Sequence, residues 1–581
     1  MNHIALAMET AAGIIRAAYD AAVEAGTLPQ AEVRQPQIEV PKDLRNGDYA
    51  SGFAMQNAKA LAMPPRKVAE ELVSRMVFDG TGFASAEVAG PGFINLRLDH
   101  SWFRGVVENI CAEGETYGRT QTANPEKVMV EFVSANPTGP MHLGNARGGV
   151  LGDSLAQVLD LAGHQVSREF YINDAGNQVD KFAVSLEARY FQLIHGEDAV
   201  AFPEDGYHGD DIRELAKAFR ETHGDAYAEK SVEERRAALA EFGLAHNIPK
   251  MKTDLERYNV HYDVWFHESE LHDSGYVAET VEKLAESGYT YEKDGALWLN
   301  TSRLLREMYL RQGKKEADIE KLELKDDVLR RANGFYTYFA ADIAYHRNKF
   351  EKRGFDRVIN IWGADHHGHV ARLKCALDAL GLNGSERLEI VLMQFVNLFV
   401  DGQPVRMSKR TGKAISLSNL LDEVSIDAAR FLFNSRVPGS MVDFDMGLAV
   451  RQDSENPVYY VQYAHARIHS ILRALEQEGI SAKVEHPDLT LLTADAEIEL
   501  IRELARLPEE IRLSAARREP SRMNTYATNV ANAFHKFYQS CRIKGAESDA
   551  LRDARIALCL CTAQVIKNTL ATFGVTAPTR M

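Results

Sequence analysis

Cysteine is scarce in this sequence of 581 residues, which contains Cys111, Cys375, Cys541, Cys559 and Cys561. Only the last two are close neighbours in the chain. A disulfide framework or a four-ligand zinc site needs more partners at closer spacing. We therefore expect reduced thiols that serve the structure.

Long apolar runs and a basic leader are also missing. No stretch approaches the roughly 20 apolar residues that cross a bilayer. The amino-terminal segment contains Glu9, Asp20 and Glu24 in a helical pattern, which disfavours secretory and transit peptides. We expect a cytoplasmic protein with no membrane partner.

Positive charge is in deficit, since the formal net charge is −16. Indiscriminate binding of polyanions needs dense Lys/Arg surfaces, so this charge argues against it. A specific nucleic-acid partner stays possible, because basic clusters occur locally at 406–413 and at Arg517 and Arg518.

The chain is too long for one ordinary hydrophobic core, and its residue pattern changes several times. We expect a fold of the α/β class. The predicted parts are an N-terminal α+β domain (1–118), a parallel-sheet catalytic domain (119–420) with a helical insertion (about 180–331), a connecting stem (421–455) and an all-helical bundle (456–581).

The second part carries the strongest secondary-structure pattern. A buried strand at 128–133 is followed by a helix at 144–161, which Gly163 is placed to end, and by a strand at 166–172. Strand, helix and strand predict a βαβ unit with a parallel sheet. The sheet is expected to resume at 358–362 and 389–400.

Neither a GxxxxGK[ST] loop nor a GxGxxG loop occurs, which disfavours P-loop and dinucleotide sites. What lies between the first strand and its helix is EFVSANPTGPMHLGNARG (131–148). A helix amino terminus offers unpaired N–H groups, Gly144 allows close approach of a ligand, and His142 adds a side-chain donor. This predicts a phosphate site, with a glycine-rich structural turn as the alternative.

A second stretch, RMSKRTGK (406–413), places four cations within eight residues. Lys and Arg side chains can stabilise the negative charge of a transferring phosphate group without a covalent intermediate. A solvated basic loop is the alternative.

Together, the two stretches resemble the signatures of class I aminoacyl-tRNA synthetases. Within that class, the sequence is similar to bacterial-type arginyl-tRNA synthetases over almost its whole length. The resemblance rests on 131–148 and on the blocks FYTYFAADIAYHRNKF (335–350), WGADHHGHVARLK (362–374) and NPVYYVQYAHARI (456–468). It implies a Rossmann-like catalytic domain, an N-terminal tRNA-contacting domain and a C-terminal anticodon-binding bundle.

Two positions depart from the family pattern. Asn145 stands where a second histidine is common, and Arg406 where the second signature commonly begins with Lys. An Asn amide can still donate a hydrogen bond but carries no proton at neutral pH. A tRNA-binding protein that has lost catalysis is therefore one alternative, and a class I synthetase for another amino acid is a second.

The planar fork of an arginine side chain requires carboxylates that accept from it in bidentate fashion. Glu131 sits in an otherwise apolar strand, where an unpartnered carboxylate is costly, and Tyr338 and Asp342 are four residues apart on one predicted helix face. Each acid could instead be neutralised by an ion pair within the protein.

The resemblance implies the roles of individual residues. For arginine the matching residues are Glu131, Ser134, Asn136, His142, Tyr338 and Asp342; for ATP they are His142, Gly144, Asn145, Met407, Ser408, Lys409 and Arg410. Catalysis would rest on His142, Asn145 and Lys409, and anticodon contact on Tyr463 and Met581.

The expected partners are ATP as its Mg²⁺ complex, L-arginine and tRNA(Arg). We expect no tightly bound cofactor and no protein metal site, since magnesium would be carried by the phosphates. The cluster at 365–369 (DHHGH) contains metal-ligand residue types, but its family counterpart lies at the edge of the substrate pocket without a metal. The chain is expected to act as a monomer.

Overall fold

Three groups of secondary structure follow one another in the computed structural model, which describes residues 1–400, 402–405, 415–481 and 484–581. The first group is a four-stranded antiparallel sheet of order β1-β2-β4-β3 with helices against it. This confirms the predicted N-terminal α+β part. Its elements are α1 (His3–Glu24), β1 (Ile38–Glu39), β2 (Tyr49–Ser51), α2 (Phe53–Asn57), α3 (Pro65–Val73), β3 (Phe83–Ala89), β4 (Phe93–Leu98) and α4 (His100–Glu113).

The second group contains the predicted parallel sheet. Its elements up to the middle of the chain are β5 (Lys127–Glu131), α5 (Leu143–Leu161), β6 (Gln165–Ile172), α6 (Asn177–His195), α7 (Asp210–His223), α8 (Val232–Arg257), β7 (Val264–His267), α9 (Glu268–Asp273), α10 (Tyr276–Glu286), β8 (Thr290–Lys293), β9 (Ala296–Leu299), α11 (Thr301–Arg311), α12 (Glu316–Glu320) and β10 (Asp327–Arg330). The predicted helix 144–161 and the strand at 166–172 are confirmed. Gly163 follows the helix with a φ of +97°.

The group continues with α13 (Tyr338–Arg347), β11 (Arg357–Gly363), α14 (His367–Ala379), α15 (Gly384–Arg387), β12 (Leu388–Met393), β13 (Val396–Val400), β14 (Gln403–Val405), α16 (Leu417–Glu423), α17 (Ile426–Phe433), β15 (Val442–Asp445) and α18 (Met446–Val450). Five strands form the parallel sheet in the order β12-β11-β5-β6-β7. Parallel pairing of β5 with β6 across α5 is the predicted βαβ unit.

Two details differ from the sequence expectation. The segment 180–331 is not purely a helical insertion, because β7 is the edge strand of the main sheet and β8, β9 and β10 form a small antiparallel sheet. At four residues, β7 is too short to stand out in a charge-rich segment. The expected strand at 389–400 is two strands, since β12 joins the main sheet whereas β13 pairs with β14 and β15.

The described residues of the third group form helices joined by loops and contain no strand, as predicted. It consists of α19 (Pro457–Gln477), α20 (Asp495–Leu504), α21 (Leu507–Arg517), α22 (Ser521–Ser540) and α23 (Asp549–Ala571). The first of these begins after Asn456, whose side chain accepts a hydrogen bond from the Val458 N–H, and Pro457 occupies the first helical position.

One continuous apolar core joins the three groups. Helix α21 packs on α5, and α20 and α23 pack on α4. At the last contact the free thiols of Cys111 and Cys561 lie 3.1 Å apart. Among the described helices, none combines the length and the apolar character that a bilayer crossing requires.

Candidate active site

The loop between β5 and α5 lies at the carboxyl end of the sheet, where open α/β sheets bind ligands. Val133 and Ser134 adopt φ values of +68° and +39°. For a β-branched residue this is a rare conformation, of the kind that costs about 1 to 3 kcal/mol and clusters at ligand sites. The Ser134 hydroxyl donates to Glu131 at 3.0 Å and accepts from the Tyr171 N–H at 3.1 Å, so hydrogen bonds hold the strained turn.

His142 and Asn145 together cap the amino terminus of α5. The His142 Nδ1 accepts from the Gly144 N–H at 3.1 Å, and the Asn145 Oδ1 accepts from the His142 N–H at 2.9 Å. A Cβ on Gly144 would lie 2.9 Å from the His142 ring, which explains the glycine. Because the Asn145 oxygen is committed to this cap, the amide nitrogen is its donor group toward a ligand.

The chain that follows the second signature lies beside this cap. Met407, Ser408, Lys409 and Arg410 lie outside the described residues. The described residues that follow them are tied to the first signature, because Ser416 pairs with His142 in an isolated β-bridge and the Leu417 N–H donates to the Met141 carbonyl at 2.8 Å.

Glu131 is buried, and the structure supplies it with a partner. The Lys349 ammonium, which is fully buried, donates to the Glu131 carboxylate at 2.5 Å. Lys349 lies on a π-helical segment, Asn348–Lys352, directly after α13, and π-helical turns often mark functional sites. For Glu131, the alternative of an ion pair within the protein is therefore realised.

Asp342 is less enclosed, with a quarter of its side chain exposed. Its carboxylate contacts His369 Nε2 at 2.5 Å and His346 Nδ1 at 3.2 Å. Burial by itself would raise the pKa of Asp342, but the interactions with the two histidines outweigh it and hold this pKa well below its usual range. The group is thus a carboxylate at neutral pH.

Tyr338 begins α13 one turn before Asp342, as the spacing predicts. Its ring is 44% exposed and lies against Gly176, which follows β6. Asn136 is exposed in the loop between β5 and α5. Glu131 therefore lies at the carboxyl end of β5, and Ser134 and Asn136 lie in the loop that follows it. Tyr338 and Asp342 lie one turn apart on α13.

A chain of polar side chains connects the two acids. Lys349 donates to Asn360 at 3.3 Å, and Asn360 contacts His346 at 2.7 Å. Sequence reasoning did not find these residues. The spacing of His346, four residues after Asp342, was a usable signal, whereas Lys349 and Asn360 meet only through the tertiary fold.

Tyr463 and Met581 lie far apart in sequence but line one open pocket of 560 Å³. Arg467 donates to the Tyr463 hydroxyl at 2.8 Å and lies 4.9 Å from the centre of the Tyr538 ring. The carboxy-terminal segment is held by hydrogen bonds from His465 to Pro578 and from Arg473 to Thr579. Exposed aromatic and cationic groups of this kind suit single-stranded RNA.

Models of three sequence families match consecutive segments of the chain. The arginyl tRNA synthetase N terminal domain matches residues 10–98, the catalytic domain of tRNA synthetases class I (R) matches 106–446, and the DALR anticodon binding domain matches 461–581. The central match alone covers more than half of the chain.

Individual relatives give the same result. The arginine–tRNA ligase of Caldanaerobacter subterraneus subsp. tengcongensis is 52% identical over all of both chains. That of Ruminiclostridium cellulolyticum is 52% identical over 96% of each chain. The solved arginyl-tRNA synthetase of Thermus thermophilus shares the fold, with a TM-score of 0.72 at 21% identity over 99% of this chain and all of that one.

Proposed function

Since this chain belongs to the arginyl-tRNA synthetases, class I enzymes that use ATP to couple an amino acid to tRNA, we propose how its residues divide that work. The arginine side chain binds to Asp342 and Tyr338 on α13. ATP binds at the amino terminus of α5. The ionised, partly exposed Asp342 is the observation that carries the assignment, because a guanidinium needs an accessible carboxylate.

The β5–α5 loop holds the reacting end of the amino acid. Ser134 and Asn136 contact its α-amino and carboxylate groups, and His142 reaches the same region from the helix cap. Glu131, which is already paired with Lys349, serves the pocket indirectly. Its bonds to Lys349 and Ser134 fix the strained turn that presents this loop.

ATP lies with its phosphates at the cap of α5, over His142, Gly144 and Asn145. The partial positive charge at that end of the helix favours the anionic guest. Met407, Ser408, Lys409 and Arg410 act on the same phosphates from the second signature. Mg²⁺ arrives as part of the ATP complex, held mainly by the phosphate oxygens.

The reaction proceeds in two displacements. The arginine carboxylate oxygen attacks the α-phosphorus of ATP, and the bond to pyrophosphate breaks. A hydroxyl of the terminal tRNA adenosine then attacks the arginyl carbonyl and AMP leaves. Neither step uses an enzyme nucleophile, so positioning and charge stabilisation by His142, Asn145 and Lys409 supply the rate.

The pocket lined by Tyr463 and Met581 receives bases of the tRNA anticodon. Its open shape and its arginines fit bases that are turned out of a loop. We also propose that the enzyme works as a single chain in the cytoplasm.

The proposal is tested by ATP–pyrophosphate exchange with each amino acid in turn, with and without tRNA. Among the amino acids, we expect only arginine to support exchange. This exchange should also require tRNA(Arg), as the family resemblance implies. Vigorous exchange without tRNA would contradict the tRNA requirement. Exchange with a different amino acid would contradict the arginine pocket.

A further inference from the structure

We propose that His369 and His346 are positioning residues that hold the Asp342 carboxylate in the orientation that receives the substrate guanidinium. Arg372 and, through Asn360, Lys349 fix the orientation of the two imidazoles. This inference rests on the proposed role of Asp342 in arginine binding.

The order of donors can be followed from Lys349. An ammonium only donates, so the Asn360 Oδ1 must accept from Lys349 at 3.3 Å. The Asn360 amide nitrogen then donates to His346 Nε2 at 2.7 Å, and this nitrogen must be the unprotonated one. The remaining proton of His346 is on Nδ1, which lies 2.8 Å from the Asp342 carbonyl and 3.2 Å from its carboxylate.

A second chain of donors approaches Asp342 from α14. Arg372, another group that only donates, lies 3.3 Å from His369 Nδ1 and is itself held by Asp327 at 2.6 Å. The His369 Nδ1 must therefore accept. Its proton is on Nε2, which donates to the Asp342 carboxylate at 2.5 Å.

Each imidazole is thus held between a fixed donor on one side and Asp342 on the other. Lys349, Asn360 and His346 are buried, so the hydrogen bonds that join them are protected from competition by water.

The arrangement matters because of what it leaves on Asp342. His369 contacts one carboxylate oxygen and His346 the other, so the two rings orient the carboxylate without occupying it fully. Each carboxylate oxygen has room for about two hydrogen bonds, so one place remains on each oxygen for the two parallel N–H groups of an arginine fork.

The histidines could instead serve packing alone, since the His369 ring also contacts Phe339 and Trp362. Two variants separate packing from positioning. His369→Leu keeps side-chain bulk but removes the donor, whereas in His369→Gln the amide nitrogen replaces Nε2 and the amide oxygen can accept from Arg372. His195→Leu, an exposed histidine on α6, is the matched control.

The test is steady-state tRNA charging by the full chain, with arginine, ATP and tRNA varied separately. We expect His369→Leu to raise KM for arginine by roughly 10- to 100-fold, as for loss of a hydrogen bond to a charged group. Turnover at saturating arginine and KM for ATP and tRNA should change by less than about 3-fold. His369→Gln should restore KM to within about 3-fold of the parent.

The outcomes separate this inference from the function on which it rests. Equal loss in the Leu and Gln variants would assign His369 to packing and overturn the inference. The inference is also overturned if both variants keep the parent KM while Asp342→Asn raises it, although the arginine pocket then stands. If Asp342→Asn also leaves KM unchanged, the pocket assignment itself is wrong.

Should His369→Leu fail to fold, Arg372→Met provides the test, because about a third of this side chain is exposed. Without Arg372 the His369 Nδ1 loses its donor, and the ring is no longer held in the orientation that serves Asp342. KM for arginine should therefore rise by roughly 10-fold, while KM for ATP and tRNA should change by less than about 3-fold. An unchanged KM for arginine would overturn the inference.

Discussion

In the proposed arginine pocket the side chains are held by buried hydrogen bonds, whereas in the pocket of Tyr463 and Met581 they stand exposed. Asp342 and Glu131 each have fixed polar partners, and some of those partners are fully enclosed. Tyr463 and Met581 are 37% and 52% exposed. A small planar cation is recognised by groups fixed in advance, while RNA bases that move into place are met by side chains that can adjust.

The largest contrast is expected in stability. Lys349→Met leaves the buried Glu131 carboxylate without its cation, and removing one partner of a buried ion pair costs about 3 to 5 kcal/mol. Arg580→Met, in the exposed pocket, should change the free energy of unfolding by less than about 1 kcal/mol. Urea unfolding followed by circular dichroism measures the free energy of unfolding of each variant. Equal losses in Lys349→Met and Arg580→Met would contradict the predicted difference between the two pockets.

A large kinetic effect is expected at Lys409. Because we propose that its ammonium acts on charge that develops during phosphoryl transfer, Lys409→Ala should lower turnover by about 10²- to 10³-fold. Arginine affinity should stay nearly intact, since the proposed arginine pocket does not include this residue. A matching loss of arginine binding would contradict the separation of the two sites.

Asp342→Asn keeps the shape of the side chain but removes its charge. The amide also turns an NH₂ donor toward a substrate group that has only donors. We expect kcat/KM for arginine to fall at least roughly 10²-fold, with KM for ATP and tRNA unchanged and no gain of activity toward uncharged amino acids of similar length. An unfolded variant by circular dichroism would assign Asp342 a structural role instead.

The smallest effect is expected in the pocket of Tyr463 and Met581, where we propose that anticodon bases bind. Stacking of one base on an aromatic ring contributes about 1 to 3 kcal/mol, so Tyr463→Ala should raise KM for tRNA by about 10-fold and leave KM for arginine unchanged. Tyr463→Phe, which loses only the hydroxyl bonded to Arg467, is the matched control and should lie near the parent. A change in arginine KM with Tyr463→Ala would show that the two pockets are not independent.

The same contrast explains how far the sequence could lead. The βαβ unit and the helical carboxy-terminal part follow from local periodicity, and the predicted boundaries of α5 agree with the structure within one residue. Strand β7 has no comparable local pattern, because its four residues lie in a charge-rich segment and gain their place by pairing with β6.

At the site, sequence spacing put Tyr338 and Asp342 on one helix. Tyr463 and Met581 were predicted only as separate candidates for anticodon contact, and the fold places them in one pocket. The partners of Glu131 and Asp342 could not be predicted from the sequence. Lys349 meets Glu131 across 218 positions of the chain, and His369 meets Asp342 across 27. Such pairs are set by strand order and helix packing rather than by neighbouring residues.

The most direct test of the proposed arginine pocket is a crystal structure of the full chain with arginine bound. We predict two guanidinium nitrogens at about 2.7 to 3.0 Å from the two Asp342 carboxylate oxygens, with both histidine hydrogen bonds retained. A guanidinium bound elsewhere, with Asp342 contacting only His346 and His369, would contradict it.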